Sequence, residues 1–314
     1  MSFRAALHTA LLALVLASLL QAQVFNVPVS EWGPEDEIGA ANRLTPQKVL
    51  DASKLITTGK TYRLGIPIDS STPAFPPRSM TITIVMPNQE GGETLSESLG
   101  SYVDDLYNGW LGIGTQLDSL AHFGFNRTFY NRREARDFVE VTGVTKMGIE
   151  KIPPIVTRGV LLDMAKQKGK TQLVEGEIIS SDDIEAAQQA QGVKIEEGDV
   201  VVLHTGWLPM LYTNGTRFAT GWPGIDVGAA EYLAGLKVVA VGADTMGVEV
   251  APPPNITRLF ESHQVLLTAN GIYILETLDT RELIKDGVKE FLFVLGQPLI
   301  TGTVQAIINP VAIC

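Results

Sequence analysis

Short runs of β-branched and aliphatic residues recur along the second half of the chain, separated by segments with a helical period. RGVLLD (158–163), DVVVLHT (199–205), KVVAVGA (237–243) and EFLFVL (290–295) read as strands. Between them, SDDIEAAQQAQG, opened by Ser181 and closed by Gly192, and DVGAAEYLAG, opened by Asp226, read as helices. Upstream, LTPQKVLDASKLI (44–56) offers Thr45 as a cap and Pro46 at the first helical position, with Gly59 soon after its end. Strands alternating with helices predict an α/β layered domain. STPAFPPRSM and VAPPPN are loops. No repeat and no shift in composition divides the chain, so one domain is expected over 27–314.

The first two dozen residues follow a different pattern. Arg4 precedes the apolar run ALLALVLASLL (10–20), which is short for a bilayer span, and QAQ follows it. This reads as a signal peptide over 1–22, and hence as a secreted or periplasmic protein with no membrane contact once the signal is removed. Cys314 is the only cysteine of the 314 residues, so no intramolecular disulfide can form and the core alone must hold the fold. A 45% hydrophobic fraction and mean hydropathy of +0.15 suit such a core. A formal net charge of −11 argues against nucleic acid as a partner, because phosphate contacts need a basic surface.

Candidate chemistry gathers in two apolar segments. In GTQLDSLAHF (114–123), Gln116 and Asp118 share one side of an extended chain, and His122 follows one turn later. Three ligands or proton carriers would converge there; equally, Asp118 could cap a helix and His122 be a satisfied buried group. In HQVLLTANGIYILE (263–276), Asn270-Gly271 between apolar runs signals a hairpin. That register would pair Val265 with Glu276 and set His263 diagonal to Glu276; a helix at His263 would also leave the pair adjacent in space. A carboxylate on an aliphatic face is costly unless paired or metal-bound. His204 ends a strand, and Asp244 and Glu249 in GADTMGVEV read as loop caps. Trp110, Trp207 and Trp222 lie in loops and could wall a pocket or simply pack. No nucleophile elbow, phosphate loop or cysteine nucleophile is present.

GTQLDSLAHF resembles a variant of the H-x-G-T-H-x-D-x-P-x-H signature of the metal-dependent cyclase family, which includes kynurenine formamidases and isatin hydrolases. EWGPEDEIGAANRLTPQKVL, LHTGW, PGIDVGAAEYLA, VVAVGADTMGVEV, the His263–Glu276 segment and the ELIKDGVKEFLFV to INPVAI ending extend the resemblance over nearly all of 27–314. It implies a swivelling β/β/α-type single domain with a mixed sheet packed by helices, a homo-oligomer, and hydrolysis of an amide, lactam or ester carbonyl of a small, aromatic molecule. It implies Asp118, His263 and Glu276 as metal ligands, with Gln116 giving an amide oxygen or a hydrogen bond, and His122 as the proton-transfer group. The first ligand of the signature falls on Gly112, which has no donor, and Gln116 stands where histidine is usual. One divalent ion is therefore expected, Mn²⁺ in preference to Zn²⁺. Trp110, His204 and Trp207 are the expected pocket residues. Two rival functions remain open at this stage: an exported binding protein with a reduced metal site, and an intramolecular cyclase or dehydratase.

Overall fold

The computed structural model describes residues 26–85 and 94–314; the signal peptide expected over 1–22 lies outside them. Nine strands form one mixed sheet in the order Thr61–Arg63, Val311–Ile313, Glu290–Leu295, Ile155–Asp163, Val200–His204, Ala240–Ala243, Tyr273–Glu276, Gln116–Asp118, Gln305–Ile307. The four strands from Ile155–Asp163 to Tyr273–Glu276 run parallel, and the flanking strands are antiparallel. Val200–His204 and Ala240–Ala243 are buried along their length, which is why they read as unbroken apolar runs.

The sheet must curl. Gln305–Ile307 and Val311–Ile313 are separated by three residues, so their near ends lie at most about 14 Å apart. In an open sheet the seven strand spacings between them would measure about 34 Å. The connecting residues bond to both sides, Ile308 N to Thr115 O and Leu64 N to Pro310 O, each at 2.9 Å. Curling brings the C-terminal strands beside Gln116–Asp118, where the site lies.

The helices start and stop where their caps dictate. Thr45 caps Pro46–Ser53 and Asp226 caps Val227–Gly235. Ser181–Gln191 is capped one residue earlier than the sequence pattern suggests: Ser180 and Asp183 form a reciprocal capping box, and Gly192 ends the helix at φ +67°.

Asn270-Gly271 does not make a hairpin. Residues Gln264–Ala269 continue a helical turn begun at Glu261–His263, and Gly271, at φ +62°, closes it. Gly271 N and Ile272 N bond back to Leu267 O and Leu266 O, while the Asn270 amide donates to Val265 O. A left-handed glycine serves a helix end as well as a tight turn. Glu276 pairs instead with Gln116, across the antiparallel contact of Tyr273–Glu276 with Gln116–Asp118.

The EWGPEDEIGAANR segment supports this corner from behind. Ala40 N donates to Gly271 O at 2.9 Å, and a side-chain carbon at Gly39 would meet Gly271 Cα at 2.8 Å. Asp36 organises the segment, accepting from Ser30 Oγ, Tyr130 OH, Asn42 Nδ2 and the backbone of Ile38 and Gly39 at 2.7–3.2 Å. Burial alone would raise the Asp36 carboxyl pKa; the bonds from Tyr130, Asn42 and Ser30 outweigh it and hold the group below its ordinary 3.8. A depressed folded-state value means that this contribution is complete above pH 3.8 and fades as the pH falls through the lower folded value. Asp36→Ala is expected to destabilise the protein by about 2–3 kcal/mol. Denaturant unfolding at neutral pH measures this, and a loss below about 0.5 kcal/mol would refute the anchoring role.

Candidate metal centre

Asp118, His263 and Glu276 come from two adjacent strands and the helical turn that precedes one of them. All three are buried, and their ligand atoms lie within 4.8 Å of one another. His263 Nε2 is 3.4 Å from Glu276 Oε1 and 3.9 Å from Asp118 Oδ2. Asp118 Oδ1 accepts from Gln305 Nε2 at 2.7 Å, whereas the buried Oδ2 has no hydrogen-bond partner. A buried carboxylate oxygen left bare beside an imidazole nitrogen and a second carboxylate is costly, and a cation answers that cost. The three residues could therefore hold one divalent ion.

The surrounding groups orient these donors. Glu249 Oε1 lies 2.8 Å from His263 Nδ1, so a proton on Nδ1 leaves Nε2 free to face Asp118 and Glu276. Glu249 Oε2 accepts from Ser262 N, so the capping expected of Glu249 is present as well. Gln116 donates through Nε2 to Glu276 Oε2 at 2.6 Å and to Asp118 Oδ1 at 3.4 Å. As placed, Gln116 is the hydrogen-bonding partner of two candidate ligands, with its amide nitrogen turned towards them.

Charge in the cluster is unbalanced towards the acids. Burial alone would lower the pKa of His263, but Glu249 and then Glu276 push it up to about 10. Burial and the nearby Asp118 raise Glu276 to about 7. Protons and a divalent cation thus compete for the same donors, because ligation requires the deprotonated forms. Glu249→Gln keeps the shape of the His263 partner and removes its charge. We expect about 10- to 100-fold weaker Mn²⁺ binding by calorimetry. Unchanged affinity would reduce Glu249 to a cap.

Glu276, His263 and Gln116 face a cavity of about 330 Å³, which His122 and Arg78 also line. Phe75, Phe123, Phe260 and Trp222 wall it. Phe260 adopts φ +59°, a conformation rare for a bulky residue, and its ring meets Phe123 at 5.7 Å and His263 at 5.3 Å. His122 is partly exposed to the cavity in a turn closed by His122 N to Ser119 O, and no helix forms there. Burial lowers the His122 pKa below its ordinary 6.5; His263 and Arg78 act in the same direction, and Asp118 opposes them.

Three expected pocket residues lie elsewhere. Trp110 is exposed at the foot of a surface hairpin. Trp207 is buried in an apolar cluster with Ile66, Leu208, Leu211, Phe218 and Trp222, of which Trp222 lines the cavity and Trp207 does not. His204 is buried, with Nδ1 2.7 Å from Thr280 Oγ1. Strand ends close in sequence to a site need not point at it: here the Val200–His204 strand directs its last side chain at the Asp244 and Thr280 network. Asp244 does cap, accepting from the backbone of Thr205 and Gly206. Trp222 is the tryptophan that reaches the cavity.

Gly112 has a structural explanation. A side-chain carbon there would lie 2.6 Å from Arg78 Nη1 and against Gln305 Oε1. Two residues from remote segments thus fill the space that a ligand at position 112 would need.

Residues 62–250 match the family model described as "Putative cyclase". The chain belongs to this cyclase family. A solved structure of a novel cyclase is 32% identical, with 90% of this chain and 96% of that one covered, at a TM-score of 0.83. Isatin hydrolase A from Ralstonia solanacearum is 19% identical over 86% of this chain and 97% of its own, with a TM-score of 0.63. A protein described as a predicted metal-dependent hydrolase from Bacillus stearothermophilus is 20% identical over 81% and 97%, with a TM-score of 0.54. At these last two identities the likeness is one of fold. Comparison with curated proteins gave no match.

Proposed function

We propose that this cyclase-family protein is a metal-dependent hydrolase of an amide, lactam or ester carbonyl. The observation that carries the reading is the bare Asp118 Oδ2, facing His263 and Glu276 beside a cavity that His122 lines. Names of fold relatives, isatin hydrolase and metal-dependent hydrolase, support it. Asp118, His263 and Glu276 would hold one divalent ion. With two carboxylates and one imidazole, the set favours Mn²⁺, with Zn²⁺ as the alternative. When bound, such an ion polarises a carbonyl and makes water more acidic.

The chain's own groups supply the rest. Gln116 holds Glu276, Gln305 holds Asp118, and Glu249 fixes the imidazole. His122, kept neutral near pH 7 by its surroundings, accepts a proton from the attacking water on a ring nitrogen and returns it to the leaving nitrogen or oxygen. The ring-lined walls exclude bulk water and suit a flat aromatic substrate. A metal holder that only binds would have no use for His122, which favours an enzyme over a binding protein.

The test is turnover of N-formylkynurenine, isatin and aryl esters with added Mn²⁺ or Zn²⁺, followed by product mass. Chelator-sensitive addition of water to one of them supports the reading. Silence across the panel with ligand binding intact supports the binding protein, and loss of water instead of its gain supports a dehydratase.

The same reading includes export, which the apolar run 10–20 motivates and which N-terminal sequencing of the mature protein checks. It also includes self-association. Among the described residues, the strands Met80–Val85 and Asp104–Gly109 pair only with each other; their register exposes Ile82, Ile84 and Tyr107 on one face and Val85 and Leu106 on the other. A two-stranded ribbon is marginal alone, and the exposed apolar face of Ile82, Ile84 and Tyr107 suits a second copy of the chain. Ile82→Ser with Ile84→Ser, both on the same face, is expected to convert a dimer into a monomer in light scattering. A wild-type monomer would end this part of the proposal.

A further inference from the structure

Arg78 is the only lysine or arginine among the described residues lining the cavity. Its Nη1 donates to Gly112 O at 2.9 Å. Among the described residues, no carboxylate pairs with it and its Nε and Nη2 make no hydrogen bond. Arg158, Arg217, Arg258 and Arg281, by contrast, each hold a carboxylate. The Gly112 carbonyl thus steadies one nitrogen and leaves the Nε–Nη2 edge for a ligand. Glycine at 112 is what admits the guanidinium, since any side chain there would meet it.

The geometry points to Arg78 as a specificity-determining residue that recognises a carboxylate on an aromatic ligand, through the guanidinium edge that the chain leaves unpaired. Three features converge on that class. A planar guanidinium matches a carboxylate with two parallel hydrogen bonds. Phe75, Phe123, Phe260 and Trp222 offer ring faces to the body of the same molecule. The nearby carboxylates of Asp118 and Glu276 make a singly charged anion easier to admit than a doubly charged phosphate. For the ligand to be a substrate, this inference rests on the hydrolase reading; for binding alone it does not.

The probe pair is phenylacetate and phenylacetamide, which share a shape and differ in charge. Calorimetry on the metal-loaded protein is expected to show at least about a tenfold preference for phenylacetate. Arg78→Gln is expected to remove that preference while metal content and phenylacetamide affinity stay as in wild type. Arg78→Lys, which keeps the charge without the paired bonds, is expected to retain part of it, and it decides the matter should Arg78→Gln not fold. A preference undiminished in both variants, or absent from wild type, overturns the inference. The two readings fail separately. A protein that holds no ion yet selects phenylacetate through Arg78 refutes the hydrolase alone. A metal-bearing enzyme whose selectivity ignores Arg78 refutes this inference alone.

Discussion

Asp118→Ala protein is expected to be purified without a divalent ion and to lose turnover by about 10³-fold or more, the several kcal/mol that such an ion contributes to a carbonyl reaction. The physical reason is the position of Asp118 rather than its charge alone. It sits between Gln305 and Ile274 in the sheet register, so Gln305 fixes one carboxylate oxygen while the other faces His263. Removing the carboxylate leaves His263 and Glu276 as an ordinary buried pair and frees Gln305 and Gln116 to bond each other. The fold should survive, since a buried carboxylate whose outer oxygen has no partner adds little to stability in the chain by itself. Elemental analysis and steady-state kinetics measure both effects. An Asp118→Ala protein that keeps its ion and its rate would remove this residue from the site.

The second large effect separates metal holding from proton transfer. His122→Ala is expected to lower kcat by about 10²- to 10⁴-fold while the metal content stays at the wild-type level. His122 makes no side-chain hydrogen bond among the described residues, so its loss should leave the ligand cluster standing. Because its surroundings lower its pKa, the neutral, proton-accepting form persists below pH 6.5. The acid limb of kcat/KM in the wild type should accordingly fall below pH 6.5 and vanish in the variant. A limb above pH 6.5, or a variant that loses its ion together with its activity, would assign His122 to a different role.

Much of this centre was legible in the chain. Asp118 and His122 belong to one short signature, and Glu276 stood out as a carboxylate in an aliphatic strand. His263 and Glu276 were expected to be neighbours through a hairpin, and they are neighbours through a helix end, because one left-handed glycine serves both geometries. Glu249 illustrates a signal that was present and underused. It lies between valines in GVEVA, and the cost that marked Glu276 applies to it equally. Arg78 and Gln305 left no such mark. One lies in a proline-rich loop and the other on a short edge strand, and only the strand pairing of Gln305 with Asp118 and the Arg78 bond to Gly112 O bring them together. Trp110 and Trp207 erred in the opposite direction. Proximity in sequence to a strand end says nothing about which way an indole faces, and Trp207 packs with Leu208, Leu211 and Phe218 behind Trp222, which is the one that lines the cavity.

Titration of the purified, chelator-stripped protein with Mn²⁺ probes the centre most directly. One ion per chain is expected, bound more tightly at pH 8 than at pH 6 because His263 and Glu276 must give up protons to ligate it, with no binding in Glu276→Ala. Two ions per chain, or none with either Mn²⁺ or Zn²⁺, would contradict a single cation held by Asp118, His263 and Glu276.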